Sequence, residues 1–407
     1  MGVASRSVRR TQALRGGNRG HAPDGAGTPE SARLLEEAQT HLLASQCNDA
    51  YWHGVFGGLY APHLRSALLR HLIQAESLLD RINAAGGHPA ARVRREDFDV
   101  DGHEEVLIEQ PTFGMVVCPA DGGTVSSLRF KPLDVELVNS LMRRPEAYHD
   151  LVRHRVTSKE APREGPASIH DMVLSKESNL DALLRYDRYA RRGFRTYLFP
   201  ASKAFEDFAL LRLEESPALA QAAWKVAAVQ APGGRVDLQQ EIHLATSNHP
   251  VRIAAHKILT SKAAGTAWQL ECRSTLSADR YCPSALALGL EMVFNLLAPD
   301  APDRYFLANE VKWPLEFRGE IKASTLVLVD EWQRVKITLT TQPEGRWWIV
   351  PIETISQSEL GFERVYQGSA IMAVWKIDPP SWRNITCGLR ADIEAWSPSV
   401  PGENPAA

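Results

Sequence analysis

The sequence predicts an α+β protein that is mainly β, with a short helical pair followed by a large antiparallel β-sandwich. Two changes of pattern predict this order. Apolar residues first recur every three to four positions, and from residue 97 onward they recur at every second position between turn residues. The first pattern is typical of helices and the second of strands with one buried face. We expect residues 1–28 to be a disordered tail, 29–88 the helical segment, 96–396 the sandwich and 397–407 a second tail.

The first helix is predicted between Pro29 and Ser45, where five apolar side chains share one face. These side chains are Leu34, Leu35, Ala38, Leu42 and Leu43. A second helix is predicted to begin at Pro62, because proline suits the first turn, and to end before Gly86 and Gly87. Two helices alone make a thin core, so we expect them to pack against something larger.

The β pattern is clearest from Val236 to Leu244, where apolar and polar side chains alternate. The adjacent Trp347 and Trp348 are predicted to face opposite sides of a sheet, which would leave one in the core and the other exposed. Short helices are predicted near Val135 to Met142 and near Leu180 to Tyr189.

Composition and charge exclude several function classes. The chain has 407 residues, 44% hydrophobic and 23% charged, which is ordinary for a globular protein. A net charge of −3 gives no overall basic field, so we expect neither nucleic acid nor an anionic membrane as a partner. We expect no membrane span, because no apolar stretch is long enough, and no secretory signal, because the first residues lack an apolar core of the kind such signals have. The five cysteines are scattered, which favours a reducing compartment, and we expect the cytoplasm.

The run from Ser45 to Gly58, between the two predicted helices, carries the residues best suited to hold a sugar. Two aromatic rings can stack on the C–H face of a pyranose, and three polar side chains can hydrogen-bond its hydroxyl groups. The stacking residues are Trp52 and Tyr51, and the polar ones are Asn48, Asp49 and His53. The alternative is a plain connection whose rings belong to the core and whose glycines only make turns. The residue types alone leave both interpretations open.

Other polar residues are candidates for metal and cofactor sites. The candidates for a metal are His149, His154 and His170 with Asp150 and Asp171. Their spacing is not that of a zinc-binding helix, so no metal site is predicted. No phosphate loop or dinucleotide fingerprint is present, and no cofactor is expected.

Two clusters of carboxylate and amide side chains lie in the predicted sandwich. The first contains Glu291 and Asn295, and the second contains Glu353, Gln357 and Glu359. Neither offers a defensible catalytic pair. Such clusters are more often hydrogen-bonded strand edges.

The run that contains Trp52, continued to Arg65, closely resembles the last conserved segment of family 57 glycoside hydrolases, which are α-amylases and 4-α-glucanotransferases. Other segments resemble the C-terminal β-domain of that family in the same order. They are 97–99, 105–109, 143–149, 168–171, 301–305, 351–359 and 361–368. The resemblance implies a sandwich of galactose-mutarotase-like type, the supersandwich, and α-1,4-glucan as the substrate class.

In that family the matching run borders the active-site cleft. The resemblance therefore implies that Trp52 is the stacking platform and that Asp49, His53 and Asn48 are polar contacts to an α-glucan oligosaccharide. It also includes Cys47, which we expect to be a packing residue and not a nucleophile.

The same resemblance implies that catalysis needs more than this chain. In the family, a barrel that precedes the matching part carries a glutamate nucleophile and an aspartate acid/base. The chain contains neither a His-Gln-Pro nor a Trp-x-x-Glu-Arg motif, so no catalytic residue is assigned.

Three hypotheses follow for the whole protein. The preferred one is the C-terminal part of an α-amylase or 4-α-glucanotransferase, inactive unless a separately encoded catalytic barrel docks on the helical pair. The second is a non-catalytic glucan-binding or regulatory module. The third is the product of a truncated gene.

Overall fold

The computed structural model of the chain begins with the helical pair and continues into three antiparallel sheets. It describes residues 28–53, 57–87, 91–157, 179–230, 234–245, 250–265, 267–282, 284–358, 361–377 and 383–397. Apart from Thr28 and residue 397, the two predicted tails lie outside the described residues.

Helices α1 and α2 form the predicted pair. Helix α1 spans Pro29–Ala44, and α2 spans Pro62–Ala85, so each begins with a proline. The Thr28 hydroxyl caps α1 by accepting a hydrogen bond from the Ser31 backbone at 3.1 Å. Between the helices the contact surface is small, as expected. It consists of Leu34, Ala38, Leu78, Leu79 and Ile82.

The strands form three sheets, all with antiparallel neighbours. The first sheet contains, in spatial order, β1 (Arg92–Glu96), β2 (Glu105–Glu109), β3 (Phe113–Cys118), β4 (Thr124–Phe130) and β5 (Val135–Glu136). The second contains β13 (Val311–Pro314), β12 (Arg304–Ala308), β15 (Thr325–Asp330), β16 (Val335–Gln342), β19 (Asn384–Ala395), β10 (Ala267–Ala278), β9 (Val251–Ala264), β8 (Arg235–Leu244) and β7 (Lys225–Gln230). The third contains β14 (Gly319–Ile321), β17 (Arg346–Ser358), β18 (Gly361–Ile377), β11 (Leu286–Phe294) and β6 (Arg195–Pro200).

One large core joins the nine-stranded second sheet to the other two sheets. Alternation in β8 places Val236, Leu238 and Ile242 in this core, as the sequence predicts. The mainly β, antiparallel sandwich after a helical pair is therefore confirmed. Among the described residues, three short helices are inserted between strands. They are α3 (His149–Thr157), α4 (Phe205–Ala209) and α5 (Pro217–Ala220).

The helix predicted near Val135 to Met142 is wrong. Asp134 adopts a left-handed backbone conformation, with φ of +53°, and reverses the chain after a short turn. Val135 then pairs with Phe130, and the Leu137 backbone N–H donates to the Leu128 carbonyl at 2.9 Å. The segment is therefore extended against β4. The second predicted short helix, near Leu180 to Tyr189, is only a 3₁₀ turn over Leu180–Leu183.

The two adjacent tryptophans do face opposite sides of the third sheet, but neither is exposed. Trp347 lies in the large core, whereas Trp348 packs on the outer face against Phe199, Phe205 and Phe208. The prediction of an exposed tryptophan failed because α4 and the chain around it cover that outer face.

Helix α2 is held to the first sheet by buried charges. The Arg129 guanidinium lies 3.2 Å from the Glu76 carboxylate on α2 and 2.5 Å from the Glu109 carboxylate on β2. The Lys131 ammonium lies 2.7 Å from Asp80 on α2. As predicted, the helical pair packs against a larger body.

All five cysteines are free thiols, and four of them are buried. In the part of the chain that the structure describes, no helix is both long and apolar enough to cross a lipid bilayer.

Candidate functional site

The described residues between α1 and α2, which are 45–53 and 57–61, form an elbow. A 3₁₀ turn over Asn48–Tyr51 leads to Trp52, and a second over Gly58–Tyr60 leads back to α2. The Leu59 backbone N–H donates to the Trp52 carbonyl at 2.8 Å and closes the elbow. Gly58 has a φ of +49°, and a Cβ there would collide with that carbonyl oxygen, so only glycine fits.

Four of the five predicted sugar-binding residues present their side chains at the surface of the elbow. Trp52 is 54% exposed and Tyr51 is 40% exposed. The Tyr51 hydroxyl donates to the Ser45 carbonyl at 2.8 Å, which fixes its ring in place. Asn48 and Asp49 are exposed on the same 3₁₀ turn. The elbow therefore combines two accessible aromatic rings with two accessible polar groups.

The fifth residue, His53, is placed differently. Its ring lies edge-on to Tyr60, with centroids 4.9 Å apart, and tilted against Tyr148 at 5.2 Å. Its Nδ1 is buried and has no hydrogen-bond partner among the described residues. His53 thus lies beneath the exposed rings. Cys47, which we expected to be packed, is exposed.

A buried arginine holds the elbow on the sandwich. The Arg65 guanidinium, on α2, donates to the Leu59 carbonyl at 2.6 Å, to the Asn139 side chain and carbonyl, both at 3.1 Å, and to the Gln367 side chain at 2.8 Å. Gln367 in turn donates to the Tyr60 carbonyl at 2.8 Å. Burial lowers the pKa of Arg65 to about 10, and the oxygens that accept its hydrogen bonds are neutral.

A cluster of aromatic and acidic side chains supports the elbow from the other side. The Tyr60 hydroxyl donates to the Glu146 carboxylate. Burial raises the pKa of that hydroxyl, and the hydrogen bond to Glu146 raises it further. Tyr148 stacks on Phe362 with ring centroids 5.9 Å apart. Segments that lie far apart in the sequence therefore meet under His53.

His149 joins this cluster through hydrogen bonds from both ring nitrogens. Its Nε2–H donates to the Ile355 carbonyl at 3.0 Å, while Nδ1 accepts from the Glu146 backbone N–H at 3.2 Å and contacts the Tyr186 hydroxyl at 3.0 Å. Burial lowers the pKa of His149. The contacts agree, because a second proton on Nδ1 would displace the Glu146 donor.

The carboxylates considered in the sandwich are tied to structural partners. Glu291 is buried, accepts from Arg191 at 2.6 Å and accepts from the Tyr197 hydroxyl. Asn295 donates to the Asn139 carbonyl at 2.8 Å, and Glu353 pairs with Arg364 at 3.0 Å. Gln357 is on β17, and Glu359 lies outside the described residues.

Of the predicted histidine and aspartate set, only part can be placed. His149 is the hydrogen-bonded residue above, and Asp150 pairs with Arg153 at 2.8 Å on the surface. His170 and Asp171 lie outside the described residues, as does the side chain of His154.

A different acidic group is brought together by the loop before β2. Ligand atoms of Asp97, Asp99 and Glu105 lie within 4.8 Å of one another, a set of oxygens that could hold a hard cation such as Ca²⁺. In the sequence these residues contribute to the family resemblance, and no metal site was predicted at them. The available signal was the alternation of Asp97, Asp99 and Asp101 before Gly102.

A cleft of about 570 Å³ adjoins the start of α2. Pro62 and Tyr366 contribute apolar surface, while Asp300, Glu316 and Arg364 contribute polar groups. Its volume and mixed lining are within the range of small-molecule sites.

Comparison with known proteins places these features in a family. Residues 97–389 match the family described as alpha-amylase/4-alpha-glucanotransferase, C-terminal, and residues 27–79 match its middle domain. Alpha-amylase 1 of Dictyoglomus thermophilum is 33% identical over 366 residues, which is 86% of this chain and 48% of that protein. A 4-alpha-glucanotransferase of Thermococcus kodakarensis is 28% identical, covering 86% of this chain and 47% of that protein.

The structure thus defines a class of protein in which a helical elbow precedes an antiparallel sandwich. The chain belongs to the alpha-amylase/4-alpha-glucanotransferase family, as the resemblance to family 57 glycoside hydrolases implied. It spans about half the length of the curated relatives it matches, in agreement with a C-terminal portion.

A solved structure of a 4-alpha-glucanotransferase shows the same fold. The crystal structure of 4-alpha-glucanotransferase from Thermococcus litoralis aligns with 96% of this chain and 49% of that chain, at a TM-score of 0.69 and 20% identity. A galactose mutarotase-like protein from Clostridium acetobutylicum aligns with 75% of this chain at a TM-score of 0.43.

Proposed function

We propose that the chain binds α-1,4-glucan at the elbow and serves as the C-terminal half of an α-glucan-acting enzyme. The observation that carries this proposal is the exposure of Trp52 on a backbone that buried contacts hold rigid. A ring that is fixed in an exposed position loses little entropy when a sugar stacks on it.

The polar groups of the elbow suit the same ligand. Asn48 and Asp49 can accept hydrogen bonds from sugar hydroxyls beside the Trp52 ring, and Tyr51 offers a second apolar face. His53 is proposed to support the site through its ring, which packs against Tyr60 and Tyr148. The names of the relatives, alpha-amylase and 4-alpha-glucanotransferase, support an α-glucan as ligand.

Chemistry would need carboxylates from outside these 407 residues. Retaining glycosidases use two carboxyl groups about 5–5.5 Å apart, and Glu291, the most deeply buried carboxylate considered, is held by Arg191 and Tyr197. We therefore propose that a catalytic barrel completes the site, and that the exposed elbow faces it. The free thiols of all five cysteines support a reducing compartment such as the cytoplasm.

Titration of maltoheptaose into the purified chain tests the binding part of the proposal. We expect saturable binding that is lost in Trp52→Ala. The absence of binding to the wild-type chain, at sugar concentrations up to tens of millimolar, would refute it.

An assay for glucose release and chain-length redistribution tests the catalytic part. We expect no turnover of maltoheptaose by the chain alone and turnover after a family barrel is added. Turnover by the chain alone would show that its own carboxylates are catalytic, and Glu291 and Glu353 would then be substituted first.

A non-catalytic glucan-binding module is the second candidate, and the 570 Å³ cleft beside α2 favours it, because the chain then offers binding surface independent of a barrel. In that case maltoheptaose binds the chain, but addition of a barrel produces no turnover.

A further inference from the structure

Two histidines meet between α1 and α2, and neither has a role in the function proposed above. His41 is in the last turn of α1, and His71 is in the first half of α2. Their Nδ1 atoms are 2.9 Å apart, and their ring centroids are 5.2 Å apart. Both side chains are half-buried. Each ring therefore directs its Nδ1 at the other ring, at a place that ions from solvent can reach.

The contact between the two rings is a hydrogen bond, which needs a proton on one of the two Nδ1 atoms. Among the residues that the structure describes, neither Nε2 atom has a hydrogen-bond partner. Nothing therefore prevents both rings from carrying their proton on Nε2, which leaves two unprotonated Nδ1 atoms side by side. Neutral imidazole nitrogens of this kind are the commonest metal ligands in proteins.

The spacing of the two Nδ1 atoms suits a metal ion. Two nitrogens bound to one tetrahedral Zn²⁺ lie about 3.3 Å apart, because each bond is about 2.0–2.1 Å long. With bonds of the same length, the observed 2.9 Å gives an angle of about 90° at the metal, as between neighbouring ligands of a square-planar or octahedral ion. An ion can thus be bound after the rings turn and separate by no more than a few tenths of an ångström.

The charged groups around the pair can accommodate a divalent cation. Gln74, one turn after the second histidine on the same face of α2, donates to the Asp134 carboxylate at 3.0 Å. On α1, Glu37 lies one turn before the first histidine and accepts from Arg33 at 3.1 Å. Arg70 is the neighbour of the second histidine in sequence, but it is exposed, so solvent screens its charge.

We propose that His41 and His71 bind one first-row divalent metal ion of the class that imidazole prefers, such as Zn²⁺ or Ni²⁺. The ion joins α1 to α2 on the side of the elbow. The apolar contact between the helices lies further from the elbow and consists of Leu34, Ala38, Leu78, Leu79 and Ile82. A metal ion therefore adds a second attachment where the helices lack an apolar one, and it does so whether or not the elbow binds a glucan.

The test is calorimetric titration of Zn²⁺ and of Ni²⁺ into the full chain at neutral pH, with hydrogen exchange of the α1 backbone amides as a second measurement. We expect micromolar affinity for both ions, falling at least tenfold in His41→Gln and in His71→Gln. Each ion slows exchange in α1 of the wild-type chain and leaves it unchanged in the two variants. Binding weakens as the pH is lowered, because protons compete for the imidazole nitrogens.

His63→Gln is the matched control. His63 is an exposed histidine in the first turn of α2, so the same substitution on the same helix should leave metal affinity and α1 exchange unchanged. Glutamine is a good helix former, so all three variants are expected to fold. Ca²⁺ is the control ion, because it takes oxygen ligands and should not slow exchange in α1.

The two probe ions separate the histidine pair from Cys47, the exposed thiol of the elbow. Thiolate ligands select Zn²⁺, whereas imidazole suits Zn²⁺ and Ni²⁺ alike. Binding of both ions is therefore the result expected of the pair.

Three results would overturn the proposal. They are no binding of either ion to the wild-type chain, a loss of affinity in fewer than both histidine variants, and slower α1 exchange with Ca²⁺ equal to that with Zn²⁺. The first would show that the pair is only a hydrogen bond, and the second that the ion is held elsewhere. Loss of maltoheptaose binding has no bearing on any of them.

Discussion

Helix α2 is attached to the sandwich by two buried arginines that differ in what surrounds them. Near the elbow, Arg65 donates to neutral amide and carbonyl oxygens. About three turns further along α2, Arg129 of the first sheet lies between the carboxylates of Glu76 and Glu109. The first attachment depends on the direction of hydrogen bonds, and the second depends on charge. The difference indicates that directional hydrogen bonds set the position of the elbow, whereas ion pairs attach the rest of α2 to the first sheet.

The largest loss of stability is expected on substitution of Arg129, whose charge is balanced by buried carboxylates. Arg129→Met removes the guanidinium from the buried carboxylates of Glu76 and Glu109, while the Lys131 ammonium stays 3.4 Å from Glu109. Breaking a buried ion pair in this way destabilises a protein by about 3–5 kcal/mol. Urea unfolding measures this loss. A loss under 1 kcal/mol would show that the two carboxylates take up protons or water at little cost, and the contrast with Arg65 would disappear.

Arg65→Met is expected to cost less, about 1–3 kcal/mol, because the oxygens it leaves unpaired are neutral. The lysine variants sharpen the comparison. Lysine keeps the charge and loses the planar fork, so Arg65→Lys should lose nearly as much stability as Arg65→Met. Arg129→Lys should retain a clear part of the stability that Arg129→Met loses. Equal behaviour of the two lysine variants would argue against the distinction.

Gly58→Ala tests whether the elbow needs its exact backbone. An added Cβ collides with the Trp52 carbonyl in a left-handed conformation, so we expect maltoheptaose affinity to fall at least tenfold. Gly87 is the control, because it has a φ of +75° but no atom within 4 Å of an added Cβ. Gly87→Ala carries the same kind of backbone strain and should bind the sugar normally. Normal maltoheptaose binding by Gly58→Ala would show that the sugar site does not depend on the backbone of the elbow.

A smaller change in the free energy of unfolding is expected when the pH is lowered. Because the pKa of His149 is lowered in the folded chain, its stabilising contribution is complete above the unfolded value of about 6.5 and is lost as the pH falls below it. The loss is at most about 1.4 kcal/mol per pH unit. His149→Gln should flatten the stability profile between pH 7 and 5. An unchanged slope would mean that another group dominates in this range.

The sequence predicts local features of this protein well. Helices α1 and α2 and the alternating strands follow from periodicity, because each element shows its buried face in its own residues. The error at Val135 to Met142 arose because apolar residues after a tight turn fit a short helix and a strand equally well. Pairing with β4 decided between them.

Features that depend on distant residues could not be predicted. Trp348 is buried by Phe205 and Phe208, which periodicity in β17 does not reveal. Gln367 meets Arg65 across a sequence separation of 302 residues. In the candidate site, the exposure of Trp52 and Tyr51 agrees with their predicted availability, whereas the position of His53 beneath them depends on Tyr148 from another segment.

The most direct test of the account compares two exposed tryptophans. Trp52 is 54% exposed on the elbow, and Trp332 is 74% exposed after β15. Calorimetric titration of maltoheptaose into Trp52→Ala and Trp332→Ala should show binding lost in the first and kept in the second, with the free energy of unfolding changed by under about 0.5 kcal/mol in both. Wild-type affinity in Trp52→Ala would contradict the claim that the elbow is the glucan site.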